Sequence, residues 1–136
     1  MKVRVAGPAG YQPNPKIYRR AEEIALQTGG SVDVYTDPSH ALVDSDVVAT
    51  DTWISMGQEA QKEQKLKEFE GFTLDKELMS MAKPSAIVLH CLPAYRGYEI
   101  AADVLDGAQS VVWDQAENRL HAQKALMVWL AARSKA

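Results

Sequence analysis

Short Val/Ile-rich runs recur along this chain, and each is separated from the next by a turn and a helix-like or polar segment. No other feature constrains the fold as strongly. Residues 2–6 read as a strand that Gly7-Pro8-Ala9-Gly10 breaks. Asn14-Pro15 then starts a helix, since asparagine caps and proline is tolerated at the first helical position. Ile17, Ala21, Ile24 and Ala25 share one face of it, and Gly29-Gly30 ends it. Residues 32–36 and 46–50 read as two more strands around a short helix begun by Asp37-Pro38. After a polar loop at 51–58 come a charged helix over 59–69 and a short helix capped by Asp75. A strand at 86–90, a short helix at 99–105, a strand at 110–113 and a long helix from about Gln115 complete the chain. Strands that are short, apolar and alternate with helices belong to a parallel sheet covered on both faces. The expected class is α/β: one domain over 1–136, a doubly wound, mostly parallel Rossmann-like sheet of about five strands with helices on both faces.

Charge and cysteine content exclude several functions. The net charge is −3 and both signs are interspersed, whereas a nucleic-acid binder needs a clustered basic face. Cys91 is the single cysteine, which rules out an intrachain disulfide and is compatible with a reducing, cytoplasmic setting. No apolar run reaches bilayer length, so no membrane role is expected. Residues 1–5 alternate like a strand rather than a secretory leader. On the charged helix, Glu63 and Lys67 stand at a favourable i,i+4 spacing, which marks a solvated face rather than a binding one.

In open parallel sheets, ligands bind beyond the carboxyl ends of the strands. Three predicted strands end in loops dense with polar groups. The third exits into Asp51-Thr52-Trp53-Ile54-Ser55-Met56-Gly57. The fourth exits into His90-Cys91-Leu92-Pro93-Ala94-Tyr95-Arg96-Gly97, and the fifth into Asp114-Gln115-Ala116-Glu117-Asn118-Arg119. The first exits into Gly7-Pro8-Ala9-Gly10, which lacks the G-x-G-x-x-G spacing of a dinucleotide site and disfavours one.

These loops resemble those of ornithine carbamoyltransferases, specifically of their C-terminal, ornithine-binding domain, and the resemblance runs over essentially the whole chain. Residues 51–57 match a D-x-W-x-S-M-G pattern, 90–93 an H-C-L-P pattern, and 117–125 the family's final motif. One departure is Tyr95, where a common family version has histidine. The resemblance implies transfer of a carbamoyl group from carbamoyl phosphate to the δ-amine of L-ornithine, giving citrulline and phosphate, with arginine biosynthesis or a urea-cycle type reaction as its setting. It implies no cofactor and no metal.

The resemblance also assigns roles. Asp51, Ser55 and Met56 would hold ornithine: Asp51 through a charge-assisted bond to the α-ammonium, the other two largely through backbone groups. Read without it, Asp51 is a turn or cap residue and Met56 core filler. Cys91 and Leu92 would face both substrates near the carbonyl, with the sulfur orienting the amine rather than attacking. A lone cysteine past a buried strand is otherwise a small buried hydrophobe. Arg119 would reach the carbamoyl oxygen and stabilise charge there, although an arginine on a helix is more commonly a surface group. Thus Arg119 and Cys91 are the catalytic candidates, and Cys91, Leu92 and Arg119 those for carbamoyl phosphate. His90 is open between a satisfied core histidine and a direct role. Arg96 is expected to pair with a carboxylate and buttress the Cys91 loop. Gly57 would let a loop that closes over ornithine bend.

Family members also carry an N-terminal domain whose S-T-R-T-type loop grips phosphate, and no such run occurs here. Family homotrimers form mainly through that domain, so trimerisation is not expected of this chain. Its final helix, with Leu120, Met127 and Leu130, would pack on its own sheet or on another copy. The competing reading is a non-catalytic amino-acid-binding or assembly module of the same fold, inactive without the missing domain.

Overall fold

The computed structural model of the chain describes residues 1–55 and 57–134. The elements run β1 (Lys2–Ala6), α1 (Pro15–Thr28), β2 (Ser31–Tyr35), α2 (Pro38–Leu42), β3 (Val47–Thr50), α3 (Lys62–Glu68), α4 (Lys76–Met79), β4 (Ile87–His90), α5 (Ala102–Leu105) and α6 (Val112–Arg133). A 3-10 turn over Glu59–Gln61 leads into α3. The α/β class stands.

The helix starts are local chemistry. Asn14 Oδ1 accepts the Lys16 N–H at 2.9 Å beside Pro15, and Asp37 Oδ1 accepts that of Ser39 at 2.9 Å. Asp75 Oδ1 accepts the Leu78 N–H at 2.9 Å. Each satisfies a donor that the first helical turn would otherwise leave free. Gly29 ends α1 at φ 71°, a left-handed conformation that glycine adopts without penalty.

Two expectations change. The strand predicted at 110–113 is reduced to a single parallel bridge between Val88 and Ser110, and α6 begins at Val112. A short apolar run reads the same as strand or buried helix. Here Val112 enters the core from the first turn of α6, and Asp114 in that turn complements the helix dipole. The count of five strands is therefore not met among the described residues. Nor do the strands form one sheet. Strand β1 pairs with β2, and β3 with β4, both parallel, with no pairing between β1 and β3.

The core is correspondingly one-sided. Val88, Ile100, Leu105 and Val112 are buried, with Leu42, Val48, Leu74 and Met79 around them. Among the described residues, none in β1, α1 or β2 is fully buried. Of the four apolar α1 positions, Ala21 and Ala25 are half-buried, while Ile17 and Ile24 remain exposed. Beyond Val112 no described residue of α6 is buried, and Leu120, Met127, Trp129 and Leu130 face outward. That stripe does not pack onto the chain's own strands. No helix among the described residues is long and apolar enough to cross a membrane.

Candidate functional site

Parallel pairing places the site. The last rung between β3 and β4 joins Thr50 to His90, so the next residues, Asp51 and Cys91, leave the sheet side by side. The Cys91 thiol donates to Asp51 Oδ1 at 2.9 Å, and the same oxygen accepts the Thr52 N–H at 2.7 Å. Thr52 Oγ1 donates to the Ile54 carbonyl at 3.2 Å, which folds the loop back on itself. The hydrogen bond to the Asp51 carboxylate, with desolvation and like-charge repulsion, pushes the Cys91 thiol above its ordinary value; the Arg119 charge opposes this. Asp51 thus disfavours the Cys91 thiolate, the form that a nucleophilic sulfur needs.

His90 is 1% exposed and engaged on every side. Its backbone N–H donates to Gln115 Oε1 at 2.9 Å, anchoring the strand end to α6. Its Nδ1 accepts the Leu92 N–H at 2.9 Å, which places the ring proton on Nε2, 3.2 Å from Glu99 Oε1. Glu99 is fully buried and also accepts the Tyr95 N–H, while its Oε2 has no partner. The core reading of His90 is therefore the one the contacts support, with a carboxylate and a backbone N–H as partners. Leu92 stands at φ 56° and precedes a cis Leu92-Pro93 bond. Left-handed backbone costs a residue with a β-carbon roughly 1–2 kcal/mol, and the bond to His90 helps hold it. Arg96 meets Asp106 through a fork of 3.1 and 2.8 Å, bracing the far end of this loop as expected.

Arg119 lies one helical turn after Gln115 on α6, is exposed, and has no carboxylate partner among the described residues. Ser55 is exposed at the mouth of a cavity of about 450 Å³ that Asp51, Thr52 and Trp53 also line. Met56 lies outside the described residues. Gly57 has φ 86°, which only glycine adopts freely. The structure thus brings Asp51, Cys91 and Leu92 to one edge, with Ser55 at the adjoining cavity mouth and the Arg119 charge acting on Cys91.

Other residues hold the site without having been expected to. Lys65, 8% exposed, donates to the Trp53 carbonyl at 2.8 Å and to Gln58 Oε1 at 2.6 Å, tying α3 to both ends of the 53–58 loop. Phe69 stacks on Trp53 at 5.1 Å and meets Tyr11 edge-on at 4.7 Å. A lysine in a charged helix carries no sequence mark of burial, and neither does Glu99 in a loop. For Trp53 and Phe69, aromatic character was the available signal.

Ligand atoms of Asp51, His90 and Cys91 lie within 4.8 Å of one another, the spacing of a metal site. Both nitrogens of His90 are already engaged, by Leu92 and Glu99, so the imidazole would have to release one to bind a cation. The donor set fits a metal poorly.

These features define a parallel α/β domain that gathers a carboxylate and a thiol at the carboxyl ends of two paired strands, with the charge of Arg119 on α6 felt at the thiol. A sequence profile for the aspartate/ornithine carbamoyltransferase family, Asp/Orn binding domain, matches residues 1–130, and the chain belongs to that family. It is 60% identical over 134 residues to an ornithine carbamoyltransferase of Renibacterium salmoninarum, covering 98% of this chain and 43% of that protein. It is 56% identical over 135 residues to one from Bifidobacterium longum subsp. infantis, covering 99% of this chain and 42% of that protein. The crystal structure of the anabolic ornithine carbamoyltransferase of Campylobacter jejuni superposes with a TM-score of 0.90 at 45% identity, over 97% of this chain and 44% of that one. The chain spans under half the length of these relatives.

Proposed function

We propose that this chain supplies the ornithine site of an ornithine carbamoyltransferase, and that it needs the rest of such an enzyme to turn over. The observation that carries the reading is the Asp51–Cys91 contact at the shared edge of β3 and β4, within reach of the Arg119 charge. In the reaction, the neutral δ-amine of ornithine forms a bond to the carbonyl carbon of carbamoyl phosphate. The bond from that carbon to the phosphate oxygen breaks, phosphate leaves with the electron pair, and the amine sheds a proton. Asp51 binds the α-ammonium, with Ser55 and Met56 about the amino-acid head. Cys91 and Leu92 border the carbonyl. Arg119 stabilises charge on its oxygen as the carbon becomes tetrahedral. No S-T-R-T run occurs among these 136 residues, and the reading assigns the phosphate grip to an N-terminal domain of the full enzyme. A cytoplasmic, arginine-forming role and a trimer built through that domain belong to the same reading.

Calorimetry with L-ornithine tests the binding part. Asp51→Ala removes a charge-assisted bond of about 1.5–3 kcal/mol, so affinity should fall by roughly 10- to 100-fold. Equal binding by wild type and variant would remove Asp51 from the site. A citrulline assay of the 136-residue chain with both substrates is expected to show no turnover. Turnover that Arg119→Ala abolishes would overturn the dependence on a further domain.

A further inference from the structure

Glu99 is a carboxylate sealed from solvent, 0% exposed in the loop that follows β4. The chemistry proposed above makes no use of it. Its Oε1 accepts the Tyr95 N–H and stands 3.2 Å from His90 Nε2. A buried acceptor that takes two donors from one loop fixes that loop's shape. Its further effect lies on the other side of the imidazole.

A neutral imidazole has one donor nitrogen and one acceptor, and the hydrogen bond at either decides the role of the other. Glu99 Oε1 faces Nε2 as an acceptor, so Nε2 carries the proton and Nδ1 keeps its lone pair. Nδ1 then accepts the Leu92 N–H at 2.9 Å. The peptide joining Cys91 to Leu92 is planar and trans, so its carbonyl points opposite to its N–H. With that N–H turned in to the buried ring, the Cys91 carbonyl turns out at the exposed strand end, where Cys91 leaves the sheet beside Asp51. Among the described residues, no backbone N–H donates to this carbonyl. The thiol of the same residue is engaged with Asp51 Oδ1. The carbonyl is therefore the acceptor that Cys91 offers to a ligand, and an amine is the group it would hold.

We propose, resting on the ornithine reading above, that Glu99 is a positioning residue: through the His90 tautomer it aims the Cys91 carbonyl at the N–H groups of the ornithine δ-nitrogen. Asp51 takes one end of the substrate and the carbonyl the other. Held by an N–H, the neutral amine keeps its lone pair free to be directed at the carbonyl carbon it attacks. Without Glu99 the ring can carry its proton on Nδ1, where it opposes the Leu92 N–H and turns the peptide.

Cys91 is the single cysteine, so labelling cysteine at its carbonyl carbon gives one NMR resonance from the 136-residue chain. L-Ornithine should shift it. L-Norvaline, with the same α-head and no δ-amine, should leave it in place. Labelled histidine nitrogens should show His90 protonated at Nε2 and bare at Nδ1. Calorimetry then separates aim from fold. Glu99→Leu fills the space without an acceptor, and should lower ornithine affinity about tenfold, the worth of one hydrogen bond to a charged group, while norvaline affinity holds. In Glu99→Gln the Tyr95 N–H, a fixed donor, keeps the amide oxygen at the Oε1 position, so the preference for ornithine over norvaline should return. If Glu99→Leu does not fold, the wild-type resonances decide alone. The proposal is overturned by a carbonyl resonance that ornithine leaves unmoved or norvaline moves equally, or by a proton on His90 Nδ1. It is overturned equally if Glu99→Leu lowers both affinities alike or neither, or if Glu99→Gln behaves as Glu99→Leu does. The ornithine reading fails separately, as binding that Asp51→Ala leaves unchanged.

Discussion

The Cys91 thiol is acted on from two sides. Asp51, hydrogen-bonded to it, raises its pKa, and Arg119 lowers it. Asp51→Asn removes the dominant influence, so the thiolate should form at lower pH, and the midpoint of iodoacetamide labelling against pH should move down. Arg119→Ala should move it up. A reversed order would mean that these groups do not share a site. Glu99 makes a different prediction. Its carboxylate accepts from both His90 and Tyr95 inside the protein. Glu99→Ala would strand two donors at about 1–3 kcal/mol each, so thermal unfolding should show a large drop in Tm. Sequence pattern marked Asp51 and Cys91 because both sit in short motifs at strand ends. It could not mark Glu99, whose importance comes from a histidine nine positions away that only the folded loop brings to it.

Lys65 connects helix α3 to the loop that carries Ser55. Its ammonium is buried against a carbonyl and an amide oxygen, with hydrogen bonds to a charged donor worth about 1.5–3 kcal/mol each. Lys65→Met keeps the apolar stem and removes both bonds. Amides of the 53–58 loop should then exchange faster while those of β4 are unchanged; uniform acceleration would indicate general unfolding instead. The charged helix was legible as a helix, but its charge pattern suggested a solvated face throughout, and Lys65 departs from that. Caps at Asn14, Asp37 and Asp75 were legible because they need only residues two or three positions away. Strand pairing was not. Whether β1 meets β3 is decided by what lies between them in space, and whether residues 110–113 extend a ladder depends on the one rung Val88 offers.

Across the whole molecule, burial is concentrated around β3, β4 and α5, and the β1–α1–β2 unit is attached with little buried surface of its own. Such a division implies two levels of stability, because a region with few buried apolar contacts opens at a lower free energy than the core. Native-state hydrogen exchange should therefore find the amides of β1 and β2 opening before those of β4. A mutational pair makes the same point. Leu105, 1% exposed, lies in the core, and Leu105→Ala should cost about 2–5 kcal/mol. Ile24 on α1 is 45% exposed, and Ile24→Ala should change stability by only about 0.5 kcal/mol or less. If Ile24→Ala costs as much as Leu105→Ala, then α1 and its strands share a cooperative core with β3 and β4. In that case the coupling would run through α2, which packs against β1, β2 and α4 and whose Ala41 carbonyl accepts from the Arg4 guanidinium at 3.2 Å.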